Sequence, residues 1–281
     1  MSYKRILTIQ DISCVGQCSL TVALPIISAC GIETAVLPSA VLSNHTAGFT
    51  GWTFRDLTED LPQISDRWKK ENIRFDTFYT GYLGSTKQID YVRHILNTDG
   101  NPNALKIIDP AMADNGKLYP GFDNAFVEAM KSLAAESDII LPNITEASLL
   151  TDSEYRETYD ESYIAQLCQK LTSLGAKTVV LTGVGYEPQY TGVVVYENGN
   201  VQYYRHKKIP GGGHGTGDVY ASAFTGALSR GLSVFDSAKI AADFTVLAIE
   251  NTLDDKSHWY GVKFEKSLLW LAQTIETLAE K

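Results

Sequence analysis

Residues 210–230 read Pro-Gly-Gly-Gly-His-Gly-Thr-Gly-Asp-Val-Tyr-Ala-Ser-Ala-Phe-Thr-Gly-Ala-Leu-Ser-Arg. Glycines crowd the front of this stretch at Gly211, Gly212, Gly213, Gly215 and Gly217. Apolar residues then recur at helical spacing: Val219, Ala223, Phe224, Ala227 and Leu228. The pattern predicts a flexible loop that runs into the N-terminus of a buried helix. Free backbone N–H groups and the positive end of the helix dipole meet there, which favours an anion. Asp218 sits at the same end, where a carboxylate is expected to be held ionised and ready to accept a proton. An anion cradle beside a base is what phosphoryl transfer to an alcohol needs. The same residues also read as a plain glycine loop with an acid that merely suits the dipole. Neighbouring motifs have to decide between the two.

Working outward, short apolar strands alternate with helices. Strands are expected at Lys4–Gln10, Glu33–Pro38, Phe75–Thr80, Leu105–Ile108, Asp138–Leu141 and Thr178–Leu181. Thr191–Tyr196 and Val201–His206 flank Asn198-Gly199, a strong hairpin signal. A first helix should start at an N-cap Ser19, kink at Pro25 and stop at Gly31. Further helices are expected over Leu57–Lys70, from Ser85 through Asn97, over Gly121–Ala135 and Glu161–Ser173, and near Val234–Glu250 and Phe264–Ala279. Residues 43–53 are too polar and glycine-rich for either period. This alternation predicts an α/β fold, a central mostly parallel sheet covered on both faces. No composition break marks a linker, so residues 1–281 read as one domain. Ligands of such sheets sit at the carboxyl ends of strands. Asp11, Asp109, Asn143 and Thr182 all fall at expected strand ends.

The net charge is −9 with scattered basic residues, which argues against a nucleic-acid groove or an anionic membrane surface. Four cysteines and no apparent secretory signal point to a reducing, cytoplasmic setting. Cys14 and Cys18 are expected to be small buried thiols, since no later Cys/His cluster completes a metal clip. No Gly-Lys-Ser/Thr follows a glycine loop and no Gly-x-Gly-x-x-Gly follows the first strand. Neither a P-loop nor a dinucleotide fold fits.

Several residues could carry chemistry. Asp109 precedes Pro110 at a strand end, with Asp114 five residues on; such an Asp can also just cap a turn. Asn143 and Glu146 follow the next strand. They read either as an N-cap with its first-turn acid or as oxygen ligands for Mg²⁺. Asp109, Glu146 and Asp218 in one cleft would repel unless a cation sat among them. His45 and Thr46 lie in the polar loop, and Tyr82, between Gly81 and Leu83, could offer a flat face to a ring or fill the core. His214 carries no assigned role.

Together these motifs resemble the ribokinase-like superfamily and, within it, the pyridoxal (vitamin B6) kinases. Gly215-Thr216-Gly217-Asp218 matches the superfamily's anion-hole and base motif. Ser43-Asn44-His45-Thr46 resembles a substrate loop of the B6 branch, Thr80 to Ser85 and Asp109-Pro110 with Met112 match its middle, and Asp138-Ile139-Ile140 with Pro142-Asn143 and Glu146 match its nucleotide and Mg²⁺ region. The resemblance implies a three-layer α/β/α sandwich that phosphorylates the 5′-hydroxymethyl group of pyridoxal, pyridoxine or pyridoxamine with ATP. It implies Asp218 as the base, with Gly215, Thr216 and Gly217 around the transferring phosphate. Asp11, Ser13, His45, Thr46 and Tyr82 would meet the B6 vitamer. Asp114, Asn143, Thr182, Gly183 and Thr216 would serve ATP, with Asp109 and Glu146 toward Mg²⁺. A monovalent cation (K⁺ or Na⁺) and a homodimer also belong to the implied picture.

One departure stands out. The family usually has Ser-His after the first strand; here Asp11-Ile12-Ser13 follows Gln10. An Asp there is closer to the hydroxymethylpyrimidine kinases, which form the first alternative. A carboxylate also favours the amine-bearing vitamer, pyridoxamine. A sugar kinase lacks support because its usual first-loop Gly-Gly is missing, and a non-catalytic binding module would have no use for Asp218.

Overall fold

The computed structural model describes residues 3–210 and 213–279, so Gly211 and Gly212 of the glycine run lie outside the described residues. In chain order the strands are β1 (Arg5–Ser13), β2 (Glu33–Leu42), β3 (Phe54–Asp56), β4 (Phe75–Thr80), β5 (Gly100–Ile108), β6 (Ala113–Asp114), β7 (Lys117–Leu118), β8 (Ile139–Ile140), β9 (Thr178–Thr182), β10 (Tyr190–Glu197) and β11 (Asn200–Lys207). The helices are α1 (Leu20–Ala29), α2 (Asp60–Lys70), α3 (Thr86–Thr98), α4 (Asn124–Ala134), α5 (Ile144–Leu150), α6 (Glu161–Leu174), α7 (Thr216–Ser229), α8 (Val234–Glu250) and α9 (Leu268–Ala279).

Nine strands form one sheet in the order β11-β10-β9-β8-β5-β4-β1-β2-β3. The run from β9 to β2 is parallel, while β3 at one edge and β10 and β11 at the other are antiparallel. Strands buried on both faces explain the continuous apolar runs. In β1, Ile6 faces one core while Leu7 and Ile9 face the other; Val180 and its neighbours Val179 and Leu181 in β9 divide the same way. Helices α1, α7, α8 and α9 cover the first face and α2 to α6 the second. The predicted three-layer α/β/α arrangement around a mostly parallel sheet is therefore what the chain forms. No helix among the described residues is long and apolar enough to cross a membrane.

Local capping rules account for most helix starts. Ser85 accepts from the Gln88 N–H, Asp123 from Phe126, and Asp160 from Tyr163. Ser19 is the exception. It precedes α1, but its hydroxyl caps nothing in the helix and its φ is 54°. The first strand also runs further than expected, so Asp11 lies inside β1 at a register shift between Gln10 and Ile12, and Ser13 beyond it. Cys14 is exposed and Cys18 partly so, which corrects the expectation of two buried thiols; Cys30 and Cys168 are buried.

Helix α7 is buried on nearly every side, from Val219 to Ala227. Small residues allow this. A Cβ added at Gly226 would stand 2.4 Å from the Cys30 Sγ and 3.0 Å from its Cβ. Elsewhere in a helix Gly→Ala gains up to about 1 kcal/mol. Here the added methyl meets the chain just beyond α1, so Gly226→Ala is expected to lower the Tm, and adding Cys30→Ala to recover part of the loss. Thermal melts of the three proteins check this; a Gly226→Ala protein melting at or above the wild type would contradict the packing.

Candidate active site

The strand ends and the start of α7 enclose one polar cleft. At its centre, Gly215 caps α7 with φ 79°. A Cβ there would lie 2.1 Å from the Gln17 carbonyl oxygen and 3.2 Å from the Cys18 Sγ. Only glycine meets both the left-handed backbone and the close approach of the first loop. At Gly217 an added Cβ would meet nothing within 4 Å, so space opens beside the free N–H groups of the first turn. Asp218 sits in that turn, half-buried. Burial pushes its carboxyl up to about 7; the Ser19 backbone N–H works against this and the Asp11 charge with it. The sequence argument expected the dipole to keep Asp218 fully ionised. Desolvation outweighs the dipole and leaves a base poised near neutrality.

Asp109 follows β5, is 8% exposed, and its carboxylate accepts no hydrogen bond among the described residues. Burial raises its proton affinity well above the ordinary carboxylate range, and the Glu146 and Asp218 charges raise it further. Glu146 is pushed up to about 8, mainly by burial, against hydrogen bonds that favour the charged form. Its Oε2 accepts from the Asn143 N–H at 2.9 Å and its Oε1 from the Met112 N–H at 3.1 Å. Asn143 returns the favour, its Oδ1 accepting from the Glu146 N–H at 3.0 Å, which completes a capping box. The Asn143 Nδ2 donates to the Ala113 carbonyl. Both readings of this pair thus meet: the side chains cap α5, and the capped carboxylate still borders the cleft.

Three predicted acids therefore do share one place, and Tyr119 feels all of them together with Asp114. Asp114 itself is exposed on the β6–β7 hairpin and bonds Asn115. Thr182 ends β9, its hydroxyl on the Pro142 carbonyl at 3.3 Å, and Gly183 follows with open space around it. No group of three or more His, Cys, Asp or Glu side chains among the described residues is arranged to hold a metal ion. The donor set still suits Mg²⁺, which takes one or two carboxylates and fills its other positions with water and phosphate oxygens. Asp109 offers an unengaged carboxylate, and Glu146, with both oxygens engaged, suits a contact through water.

The opposite wall comes from β1 and β4. Asp11, 5% exposed, accepts from the Ser13 hydroxyl at 2.9 Å and from the Ser19 hydroxyl at 2.5 Å. Burial raises its proton affinity and these two donors oppose the rise. Tyr82 is half-buried, stacked on Phe122 at 5.5 Å, and its hydroxyl responds to Asp11. One ring face is thus spoken for. Thr46 is exposed on the loop. His45 is buried with both nitrogens engaged: Nε2–H donates to the Tyr260 carbonyl at 2.8 Å and Nδ1 accepts from the Ala47 N–H. Its ring lies where a Gly16 Cβ would be, 2.1 Å away. It acts as a latch in the wall, a role the sequence reading did not give it. His214 is exposed and packs against it at 5.3 Å between centroids.

Sequence reasoning missed the C-terminal contribution. His258 donates from Nε2 to the Gln17 Oε1 at 2.6 Å, and Gln17 donates from Nε2 to Glu265 at 2.6 Å. A Gly261 Cβ would stand 2.7 Å from Gln17. The run His258-Trp259-Tyr260-Gly261, aromatic and glycine-ended in an otherwise helical tail, was the available signal.

Residues 27–262 match the family described as Phosphomethylpyrimidine kinase. A Bacteroides thetaiotaomicron protein assigned as a phosphomethylpyrimidine kinase, crystallised with pyridoxal, is 36% identical over 96% of each chain, with a TM-score of 0.91. Pyridoxal kinase from Lactobacillus plantarum is 33% identical over 99% of each chain, with a TM-score of 0.90. The hydroxymethylpyrimidine/phosphomethylpyrimidine kinase of Bacillus subtilis is 27% identical over 221 residues, 76% of this chain and 78% of its own.

Asp109, Glu146 and Asp218 all hold protons more tightly folded than unfolded. The stability this lends is complete below their ordinary range and is lost as pH rises through the folded values. In EDTA-treated protein, Asp109→Asn should therefore raise the Tm at about pH 8 by more than at about pH 5. Equal effects at the two pH values would show that the fold does not hold Asp109 protonated above its ordinary range.

Proposed function

The chain belongs to the phosphomethylpyrimidine kinase family, and within it we propose that this protein phosphorylates the hydroxymethyl group of a B6 vitamer with ATP. The observation that carries the reading is Asp218, poised near neutrality at the open N-terminus of α7, with the Asp11 pocket facing it. The relative crystallised with pyridoxal supports the vitamer class.

The proposed transfer is in line. The acceptor hydroxyl lies against the Asp218 carboxylate, which takes its proton as the oxygen attacks the terminal phosphorus of ATP. The N–H groups of Gly215, Thr216 and Gly217 meet the negative charge that spreads over the phosphoryl oxygens. Thr182 and Gly183, at the end of β9, border the path of the polyphosphate, with Asn143 fixing the adjoining turn. Asp109, and Glu146 through water, would hold Mg²⁺, which when bound offsets phosphate charge. A K⁺ or Na⁺ ion near the same acids is part of the reading, as is a homodimer; the exposed Phe54 on edge strand β3 and Trp52 beside it offer an apolar surface for a second copy.

A second reading, phosphorylation of hydroxymethylpyrimidine, is favoured by Asp11 itself. A carboxylate with two hydroxyl donors suits an amine-bearing heterocycle, and a Bacillus subtilis relative carries that name. ATP consumption with pyridoxal, pyridoxine, pyridoxamine and hydroxymethylpyrimidine separates the readings. Turnover of a vitamer is expected, and turnover of the pyrimidine alone would overturn the first reading. Asp11→Ser is expected to move the ratio of kcat/KM values from pyridoxamine toward pyridoxal; an unchanged ratio removes Asp11 from vitamer choice.

Asp218→Asn is expected to lower kcat by about 10²–10⁴-fold with KM values largely kept. In the wild type, kcat/KM should rise with pH through about 7 as Asp218 loses its proton. Near-normal turnover in a folded Asp218→Asn protein would remove it as the base.

A further inference from the structure

Seven described residues other than glycine have positive φ. Five are Asn or Asp (Asn72, Asn103, Asn115, Asp152 and Asn198), whose short polar side chains tolerate that backbone. The other two are Gln17 at 52° and Ser19 at 54°, two residues apart in the first loop. Strain of this kind persists where surrounding structure over-determines it, and it gathers at functional sites.

The surroundings here are visible. The Gln17 side chain is held by His258 and Glu265, and its carbonyl oxygen packs against Gly215. The turn delivers Ser19 into the cleft, 5% exposed. A serine before a helix normally turns its hydroxyl onto the first-turn N–H groups. Ser19 gives that up. Its hydroxyl donates to the Asp11 Oδ1 at 2.5 Å instead, and its backbone N–H opposes the rise in the proton affinity of nearby Asp218. One residue therefore holds the acid of the acceptor pocket while standing beside the acid of the anion cradle.

We propose that Ser19 is a positioning residue that aims the Asp11 carboxylate at the acceptor beside Asp218, and that the strained turn from Gly16 to Ser19, strapped by the C-terminal segment, exists to hold it there. The inference rests on the reading of Asp11 as a substrate contact and Asp218 as the base. The hydroxyl orients the Asp11 carboxylate with Ser13 as second donor, so that its remaining lone pairs face the acceptor. Substrate recognition and proton removal then depend on a single backbone geometry.

Ser19→Gly separates this role from a structural one. Glycine accepts the left-handed backbone, keeps the N–H and removes the hydroxyl. The expected result is a Tm about 2 °C above that of Ser19→Ala, which loses the same hydroxyl but keeps the strain, together with a vitamer KM raised about tenfold by the lost hydrogen bond to a charged group. The KM for ATP should stay within about twofold, because nothing at the phosphate cradle changes. Ser19→Ala should show the same rise in vitamer KM at the lower Tm. An unchanged vitamer KM in either folded variant overturns the proposal, as does a parallel rise in both KM values. Wild-type turnover in the same assay keeps the two ideas apart. No phosphorylation of any vitamer or of hydroxymethylpyrimidine would refute the functional reading and this inference with it. Normal wild-type turnover with an unaltered Ser19→Gly would refute this inference alone.

Discussion

Acidic crowding at the carboxyl edge of the sheet is the constraint from which the rest of the site follows. Asp11, Asp109, Glu146 and Asp218 share one cleft, and the main influences on Asp109, Glu146 and Asp218 are burial, backbone N–H donors and neighbouring carboxylates, with Glu146 and Asp218 acting on Asp109, Asp114 on Glu146 and Asp11 on Asp218. Each acid is made tolerable by a different device. Glu146 is tied to two backbone N–H groups, and Asp11 takes two serine hydroxyls. Asp218 has the helix end and the nearby Ser19 N–H, and Asp109 has no hydrogen bond from a described neighbour. A cleft built this way holds its charge only with protons or cations present. A polyphosphate carrying a divalent cation answers that need, and its terminal phosphorus would then stand before the glycine cradle.

How much of this was legible in the sequence depended on the range of the interactions. The cradle at Gly215 to Asp218 could be read because its physics is local: a left-handed cap, an open first turn and an acid beside it. Ser85 and the Asn143/Glu146 pair obeyed capping rules for the same reason. Ser19 did not, because the cap rule knows only the helix, and the stronger acceptor was a carboxylate eight residues upstream, folded over it by the first loop. The contact of Gln17 with His258 spans 241 residues, and no periodicity could announce it. Edge strand β3 was missed because its three residues are all exposed and carry no alternation. Asp218 shows the remaining kind of error: the helix dipole was read correctly in sign, but the larger desolvation effect needs the fold to be known.

The two halves of the site are coupled mechanically as well as electrically. The first loop carries the acceptor-side acid, and α7 carries the base. They touch at the Gln17 carbonyl against Gly215, and Ser19 stands beside Asp218. The tail beyond α8, which looked like mere cover, braces that contact through His258, Tyr260 and Gly261. Residues far apart in the chain thus meet at close range across glycines that leave no room for a methyl group.

The claim on which everything turns is that the Asp218 carboxylate addresses the hydroxyl that receives phosphate. A crystal structure with a non-hydrolysable ATP analogue and a B6 vitamer bound together tests it directly. The account predicts an Asp218 carboxylate oxygen within hydrogen-bond distance of the acceptor hydroxyl, with the terminal phosphate over the Gly215–Gly217 turn. An acceptor hydroxyl out of reach of Asp218, or a terminal phosphate seated away from that turn, would contradict it.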